Sequence, residues 1–389
     1  MNRSIGKVRH ECVTMTISIA DYERLTSETD RFGPDEVVPI LLGLFGEVGG
    51  VMAAAKKHRR EGSVFLGYRR AVEEEFGDVL WYFAALCRRF GTPLDSVLTR
   101  ASSDERYQRT VVAAETPAGA VSHISAPPPS GAFDQVLLGL GTAASDLLGL
   151  TGGAADKFPK MSGFADAYLR SLNCAGISLA TVASANVRKV RGRFLPPVVS
   201  ELPEFDARFA EDERLPEQFE VSIRQRSGGR SVLEMNGVVI GDPLTDNIAD
   251  RDGYRFHDVF HFAHAAVLHW SPTFRALLKR KRKSDPEVDE TQDSGRAIVV
   301  EEGLSAFVFS QAKSLAFFEG QTSLSFDLLK TVRQFVEGYE VDACPLKLWE
   351  DGILQGYDVF RRVRKEGGGT VLGDRVRRRV EFRTLGGNR

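Results

Sequence analysis

The chain has little of what marks a disulfide-rich, zinc-knuckle or membrane protein. Its four cysteines are scattered and form no Cys-x-x-Cys pair, so neither a disulfide framework nor a zinc knuckle is indicated. The first residues lack the apolar core of a signal peptide, and no apolar run is long enough to cross a bilayer. The net charge of -2 gives no overall attraction to nucleic acid or to an anionic membrane. These absences predict a reduced, cytoplasmic protein that binds neither membranes nor nucleic acid.

The chain has 389 residues, of which 42% are hydrophobic and 27% are charged. This length and composition predict a globular protein of two or three domains. Apolar residues recur at helical spacing from Val38 to Met52 and again from Val72 to Phe90. Residues 111–132 are poor in large apolar side chains and rich in Ala, Pro, Ser and Gly, which is typical of a linker. We therefore predict an all-α helical bundle over residues 14–196, with halves 14–108 and 132–196 and a linker at 109–131.

Two stretches after the linker repeat two stretches before it. LLGLGTAASDL (137–147) follows the outline of LLGLFGEVGGV (41–51). FADAYLRSLNCAGISLATV (164–182) follows FGDVLWYFAALCRRFGTPLDSV (76–97) with a three-residue deletion. One helix pair cannot bury its apolar face alone, so repeats of this kind pack on each other. We predict a duplicated helical half, with chance similarity among Leu-, Gly- and Ala-rich helices as the alternative.

Carboxylates stand beside an apolar run in the segment AVEEEFGDVLWYF. On a helix, Glu74, Glu75 and Asp78 lean toward one side, where unpaired like charges are unfavourable. Mg²⁺ would remove that cost, because it takes oxygen ligands from one or two carboxylates together with substrate phosphates. Glu47, on the preceding helix, would add a carboxylate from across the bundle. Glycines of that helix would let the two helices approach closely: Gly43, Gly46, Gly49 and Gly50.

A solvated helix start is the alternative interpretation of these acids, since Glu near a helix N-terminus complements the helix dipole. It explains Glu73 and Glu74 well. It explains Glu47 and Asp78 poorly, because both stand among core-type residues.

LGLFGEVGGV, followed by KKHRREG and EEFGDVLWYFAAL, resembles the MazG family of all-α nucleoside triphosphate pyrophosphohydrolases. The family carries Glu-x-x-Glu and Glu-x-x-Asp pairs on neighbouring helices. Glu47 matches the first Glu of one pair, and Glu75 with Asp78 matches the other, so the resemblance implies that these three bind Mg²⁺ or Mn²⁺. Gly50 stands where the family has its second Glu, and Glu74 is a candidate replacement.

The second half offers another acid. Asp146 occupies the position equivalent to Gly50 there, while Ala143 stands where the first half has Glu47. Either Glu74 or Asp146 completes the site, or the site is degenerate.

The implied reaction converts a nucleoside triphosphate and water to a nucleoside monophosphate and pyrophosphate. It requires positioning and neutralisation of the triphosphate, and a metal that lowers the pKa of a bound water. The implied catalytic residues are Glu47, Glu74 (as extra ligand or general base), Glu75 and Asp78. Residues 183–194, ASANVRKVRGRF, resemble the Asn-x-x-Lys-x-x-x-Arg end of the family domain. The candidate nucleotide contacts, each also an ordinary surface residue, are Lys56, Lys57, Asn186, Lys189 and Arg193. We also expect a homo-oligomer, a dimer.

Residues 197–389 are predicted as an α+β domain with a small antiparallel sheet. FEVSIRQRSGGRSVLEMNGVVIG predicts strands around Gly-Gly and Asn-Gly turns, and TVLGDRVRRRVEFR predicts one or two strands that join them. This half resembles the C-terminal extensions seen beside MazG-like domains.

A histidine-rich helix, YRFHDVFHFAHAAVLHW, precedes the basic run KRKRK (279–283). His257, His261 and His264 are spaced to share one helical face, and Asp258 pairs with His261 at i, i+3. Histidines at i, i+4 can ligate a transition metal. The remaining ligands are expected from Glu301 and Glu302 on the next strongly apolar helix. Such a site, without thiolates, favours Mn²⁺, Fe²⁺ or Mg²⁺ over structural Zn²⁺, and the basic run is placed to reach an anionic ligand.

The alternative for this segment is structural: histidines packed in a core or an interface, and a self-neutralising surface loop.

The leading functional prediction is Mg²⁺-dependent hydrolysis of nucleoside triphosphates to the monophosphate and pyrophosphate. Two alternatives stay open. One is a nucleotide-sensing or regulatory module that hydrolyses poorly because of Gly50. The other is a hydrolase whose main metal site lies in the C-terminal domain.

Overall fold

A computed structural model describes residues 17–103, 108–112, 121–125, 132–152, 156–226 and 228–385. The chain divides after Leu195 into two compact units, an N-terminal unit (residues 1–195) and a C-terminal unit (residues 196–389). Each unit has its own hydrophobic core.

The described part of the N-terminal unit is mainly helical. Its helices are α1 (Ile19–Ser27), α2 (Val37–Glu61), α3 (Tyr68–Arg89), α4 (Leu94–Ala101), α5 (Phe133–Leu148), α6 (Lys157–Cys174) and α7 (Leu179–Phe194). Strands β1 (Gln108–Val112) and β2 (Val121–Ser125) pair antiparallel within the segment predicted as a linker. Because of this hairpin, the described part of the unit is not all-α. The composition of the segment did not reveal the hairpin, since hairpin hydrogen bonds do not require large apolar side chains. The rest of that segment, 113–120 and 126–131, lies outside the described residues.

Helix α3 forms where the sequence predicts it, because its apolar residues follow the helical period. The buried stripe includes Val72, Phe76, Val79, Leu80 and Phe83. This stripe packs against α2 on one side and α7 on the other. The acidic residues of α3 are thereby held at the edge of the core.

Helix α2 is apolar around much of its circumference, and only one face is buried. Val38, Leu42 and Phe45, which belong to the apolar residues at helical spacing, are 53%, 67% and 44% exposed. Other apolar residues of α2 are buried because α2 packs on α3 and α5. By length and composition alone Val37–Val64 is long and apolar enough to cross a membrane, so the expectation that no apolar run could do so was wrong for this segment. Core helices of soluble proteins pass the same test.

The six helices from α2 to α7 pack in two similar sets of three. Helix α2 packs on α3 and α5 on α6, while α3 packs on α7 and α6 on α4. A duplicated helical half predicts this pattern, and the duplication itself stays a prediction.

The C-terminal unit contains the predicted antiparallel sheet, which is confirmed. Its strands are β3 (Gln218–Gln225), β4 (Ser231–Met235), β5 (Val238–Leu244), β6 (Gly369–Asp374) and β7 (Arg379–Arg383), in the order β5-β4-β3-β6-β7. Asn236 and Gly237 join β4 to β5 with φ of 51° and 77°, the left-handed pair of a two-residue hairpin turn. The C-terminal strands join the hairpins through β6, which pairs with β3.

Six α-helices belong to the described part of the C-terminal unit. They are α8 (Asp258–Ala263), α9 (Pro272–Leu278), α10 (Pro286–Gln292), α11 (Gly295–Lys313), α12 (Phe326–Phe335) and α13 (Leu346–Glu366), with a π-helical turn at His264–Leu268. A Cβ at Gly356 of α13 would lie 3.0 Å from the Cβ of Ala263, so glycine lets α13 press closely on α8. Turns of the π type interrupt helices frequently at functional sites.

Candidate metal centres

The first candidate site is an acidic cluster, which consists of Glu47 from α2 and Glu74, Glu75 and Asp78 from α3. The carboxyl groups of Glu47 and Glu75 lie close enough to share a proton, and a proton on one of them would let it donate to the other. Burial, with the neighbouring charges of Asp78 and Glu75, raises the pKa of Glu47 to about 7. The described structure thus brings together the three acids predicted to bind metal.

Helix α7 supplies the cation of this cluster. The Lys189 ammonium lies 2.8 Å from Glu74 and 2.5 Å from Asp78. Burial alone would lower the pKa of Lys189, but the charges of Asp78 and Glu74 raise it above its ordinary value. The sequence-based view of these acids as unpaired was therefore wrong for Glu74 and Asp78.

Asn186, predicted as a nucleotide contact, lies in the interior. Its Oδ1 accepts a hydrogen bond from the Tyr22 hydroxyl at 2.9 Å, and its Nδ2 donates to Asp78 at 3.2 Å. Asn186 is 2% exposed, so in this structure it orients Asp78. No sequence pattern pointed to Tyr22 as a partner of Asn186, because the two residues are 164 positions apart.

Two of the four α2 glycines make room for α3, and two do not. A Cβ at Gly50 would lie 2.1 Å from Oε2 of Glu75, and one at Gly43 would lie 2.1 Å from the Tyr82 ring. A Cβ at Gly46 or Gly49 would have no neighbour within 4 Å. Gly50, which stands in place of the family's second Glu, therefore leaves the space that the Glu75 carboxylate occupies.

The other predicted nucleotide contacts lie at the surface or half-buried. Lys56 and Lys57 are exposed, and the Lys57 ammonium lies 4.3 Å from the centre of the Phe65 ring. The half-buried Arg193 lies over the ring of Phe194. Asp146 is exposed on α5 and Ala143 half-buried there, and no described contact joins Asp146 to the acidic cluster.

The second candidate site is a histidine cluster, which consists of His257, His261, His264, Glu301 and Glu302. His261 is fully buried between the two glutamates. Its Nδ1 lies 3.2 Å from Glu301 Oε1, and its Nε2 lies 3.2 Å from Glu302 Oε1. His264 Nδ1 lies 2.9 Å from Glu301, and His257 Nε2 lies 3.3 Å from Glu302. The structure therefore brings histidines in and next to α8 together with glutamates of α11 that are 37 to 45 positions away in the sequence.

Neighbouring groups that the sequence did not reveal hold the histidine cluster in place. Ser271 Oγ and the Thr273 backbone N–H donate to Glu301 Oε2 at 3.0 and 2.9 Å. The Tyr254 ring stacks on His257 at 4.4 Å, and its carbonyl oxygen lies 2.9 Å from His257 Nδ1. Ser271 could have been suspected as a helix cap before Pro272, but its contact with Glu301 is tertiary.

Electrostatics in the histidine cluster follow from burial and opposite charge. Burial would lower the pKa of His261, but Glu301 and Glu302 raise it well above its ordinary value. Burial would raise the pKa of Glu301, but His261 and His264 hold it well below its usual range. Yet neither His261 contact has hydrogen-bond geometry, so the cluster is not an ordinary network of imidazolium donors and carboxylate acceptors.

Asp258, predicted as a ligand, lies beside the histidine cluster. It does not belong to either group of three residues whose ligand atoms converge. Burial raises its pKa, and the charges of His257 and His261 partly offset this. Its Oδ2 is buried and has no hydrogen-bond partner among the residues that the structure describes.

The basic run is partly structural, which the sequence did not indicate. Arg282 is fully buried, and its guanidinium lies 2.8 Å from Asp293 and 2.6 Å from Glu340. Lys279 and Lys283 are exposed. The fourth histidine of the segment, His269, is also structural, because its Nε2 lies 2.8 Å from the carbonyl oxygen of Arg375.

The C-terminal unit carries a family signature. Residues 200–386 match the family model of the MazG C-terminal domain. This half of the chain is therefore similar to the C-terminal domain of MazG proteins. The match supports the family predicted from the sequence, but it falls on the C-terminal half, whereas the motifs that suggested it lie in residues 14–196. No curated protein and no solved structure matches the chain.

Proposed function

We propose that the protein is a Mg²⁺-dependent nucleoside triphosphate pyrophosphohydrolase, with its catalytic site in the N-terminal unit. The observation that carries the proposal is the acidic cluster, in which Glu47 from one helix meets Glu75 and Asp78 from another. The similarity of the C-terminal half to the C-terminal domain of MazG proteins supports it, because the motifs around these acids resemble the same family.

The residues of the acidic cluster fit a hard divalent cation. Carboxylate oxygens are the protein ligands that Mg²⁺ prefers. Glu47 and Glu75 are close enough to share a proton, and the missing side chain of Gly50 leaves space for Glu75. We infer that Glu47, Glu75 and Asp78 hold Mg²⁺ or Mn²⁺. When bound, the metal would polarise the α-phosphate and promote ionisation of the attacking water.

The remaining residues position the substrate and the acids. Lys189 stays cationic, so it can neutralise charge on a triphosphate once that substrate competes for it with Glu74 and Asp78. Asn186 fixes the orientation of Asp78. Glu74 holds Lys189 and so acts as a positioning residue, which differs from the extra-ligand role predicted from the sequence.

The direct test is incubation of the protein with each NTP and dNTP in the presence of Mg²⁺ or Mn²⁺, with separation of the products. The proposal expects a nucleoside monophosphate and pyrophosphate in equal amounts. A diphosphate with inorganic phosphate, or no product from any of the substrates, would overturn it. Tight nucleotide binding without turnover would support the sensing module instead. Turnover that survives loss of Glu47 but not of His261 would place the chemistry in the C-terminal unit.

Protonation of Glu47 should make metal binding depend on pH. Its pKa is raised from 4.5 to about 7, so the folded protein holds a proton that the unfolded chain releases. Without metal, stability from this group is present below pH 4.5 and is lost as the pH rises through about 7. Millimolar Mg²⁺ should therefore raise the melting temperature at pH 8 and have little effect at pH 5.5. Calorimetry at both pH values measures the change in melting temperature on addition of Mg²⁺. A melting temperature that does not change with Mg²⁺ at pH 8 contradicts the metal site.

Replacing Glu74 with glutamine should reduce turnover much more than replacing Glu73. Glu74 holds the buried ammonium of Lys189, whereas Glu73 pairs at 3.0 Å with the exposed Arg69 on the same helix. Loss of an ion pair at an exposed site changes stability by about 0–1 kcal/mol and should leave catalysis intact. Initial rates for the two variants provide the comparison. Equal, small effects would mean that Glu74 is an ordinary helix-start residue.

We also propose a homodimer. Val38, Leu42 and Phe45 form an exposed apolar stripe along α2, and exposed stripes of this kind often mark protein–protein contacts. Sedimentation velocity of the wild type and of Leu42→Glu would test it, since a wild-type monomer at micromolar concentration excludes the dimer.

A further inference from the structure

We propose that the C-terminal unit binds one divalent transition-metal ion through His257 Nε2, His261 Nε2 and the Glu302 carboxylate. These three groups have ligand atoms within 4.8 Å of one another. The site is separate from the Mg²⁺ site proposed above, and neither proposal depends on the other.

The tautomer of the neutral His257 ring is fixed by its surroundings. A carbonyl oxygen only accepts, so the contact between His257 Nδ1 and the Tyr254 carbonyl at 2.9 Å places the ring proton on Nδ1. In the neutral ring, Nε2 then carries a lone pair, and this atom faces Glu302 Oε2 at 3.3 Å. Two electron-rich atoms face each other across a gap that a cation would fill. Metal-ligating histidines typically donate their other ring N–H to a carbonyl or carboxylate in this way.

The surroundings of His261 favour a bound cation more strongly than those of His257. It is 0% exposed, and both ring nitrogens lie 3.2 Å from a carboxylate oxygen without hydrogen-bond geometry. An imidazolium ion held by two carboxylates would point its N–H bonds at the oxygens, and this one does not. Polar atoms buried without a partner are rare and unfavourable. A metal ion between His261 Nε2 and Glu302 would satisfy both groups.

Glu301 orients His264 and is not itself a ligand. Its Oε2 accepts from Ser271 and Thr273, and its Oε1 lies 2.9 Å from His264 Nδ1 in a hydrogen bond. In the second converging group, which consists of His261, His264 and Glu301, both oxygens of Glu301 are therefore already hydrogen-bonded to protein groups. The geometry points to one ion, on the Glu302 side of His261.

The Glu302 side is also the accessible side. The Glu302 side chain is 37% exposed, whereas that of Glu301 is fully buried. Three protein ligands leave further coordination positions open, as in catalytic metal sites. Asp258 lies among the same charges with a buried, unpartnered Oδ2, an acceptor for a water or small ligand held beside the ion.

The donor set selects the class of metal. The sequence predicted two carboxylate ligands and therefore Mg²⁺ among the favoured ions, but only Glu302 converges with His257 and His261. Two imidazole nitrogens and one carboxylate, with no thiolate, suit Zn²⁺, Fe²⁺, Co²⁺ or Mn²⁺ and bind Mg²⁺ poorly, so the expected preference for Mg²⁺ over Zn²⁺ does not hold for this donor set. This distinguishes the histidine cluster from the acidic cluster, whose oxygen ligands suit Mg²⁺.

The test is metal binding by the full chain without nucleotide. Chelator-treated protein is titrated with Co²⁺ and with Zn²⁺, with visible absorption of bound Co²⁺ and displacement of a chromogenic chelator as readouts. We expect one bound ion per chain. Mg²⁺ at roughly 10 mM, a large excess of a weak competitor, should not displace it. His257→Gln and Glu302→Gln should each weaken binding at least about tenfold, and the double variant should lose the Co²⁺ spectrum.

Matched controls distinguish binding at the histidine cluster from binding at histidines and carboxylates of the N-terminal unit. His58→Gln removes a histidine of that unit, and Glu47→Gln removes the proposed Mg²⁺ ligand. Both should leave the Co²⁺ spectrum unchanged. Glu302→Gln changes a half-exposed side chain to its isostere, so the fold should survive, and circular dichroism checks this. Absence of binding by the wild type, or unchanged binding by the folded double variant, overturns the proposal.

Discussion

Replacing Glu47 with glutamine should lower nucleoside triphosphate cleavage at saturating Mg²⁺ by roughly a hundredfold or more, as expected when a metal site loses a ligand. The same change should leave the fold equally or more stable above pH 7. Glutamine keeps the shape of the side chain and can donate to Glu75, but it removes a carboxylate that burial and two neighbouring acids make unfavourable. A residue that weakens the fold it belongs to is best explained by function.

Two measurements on Glu47→Gln distinguish a functional from a structural role. Initial rates across a Mg²⁺ series report the loss of activity, and thermal melting at pH 8 reports stability. Glu73→Gln serves as the control, because its Arg69 partner is exposed. Normal activity together with a lower melting temperature would mean that Glu47 serves packing alone.

Helical periodicity made the elements of both sites predictable from the sequence. It places Glu75 and Asp78 one turn apart on α3, and His257 and His261 one turn apart before and on α8. What the period could not predict were the tertiary partners. Lys189 and Asp78 are 111 positions apart, and only the packing of α7 on α3 brings them together.

The burial of individual side chains was harder to predict in segments whose composition is nearly uniform. Helix α2 has apolar residues around much of its surface, so the sequence could not show that Leu42 is exposed while Leu41 and Leu44 are buried. Arg282 stands in a basic run typical of a surface loop, yet it is buried because Asp293 and Glu340 converge on its guanidinium. In both cases the deciding contacts come from elements distant in the sequence.

Replacing Gly50 with alanine should reduce nucleoside triphosphate cleavage by about ten- to a hundredfold with little loss of stability. The new methyl carbon would lie 2.1 Å from Oε2 of Glu75, so the carboxylate must move. That oxygen ends a flexible side chain, so the helices need not separate. A misplacement of about 1 Å at a catalytic group can lower a rate by about a hundredfold. Activity assays and thermal melting of the same preparation measure both effects.

The neighbouring Gly49→Ala is the matched control, because it makes the same substitution in the same helix. A Cβ there has no neighbour within 4 Å, so activity should be unchanged. Stability should rise by about 0.5–1 kcal/mol, since alanine favours a helix interior over glycine. If Gly50→Ala and Gly49→Ala behave alike in both assays, then Glu75 does not need the place beside Gly50. In that case the family's second Glu has been replaced by Gly50 without any effect on Glu75. The nucleotide-sensing function would then be favoured over hydrolysis.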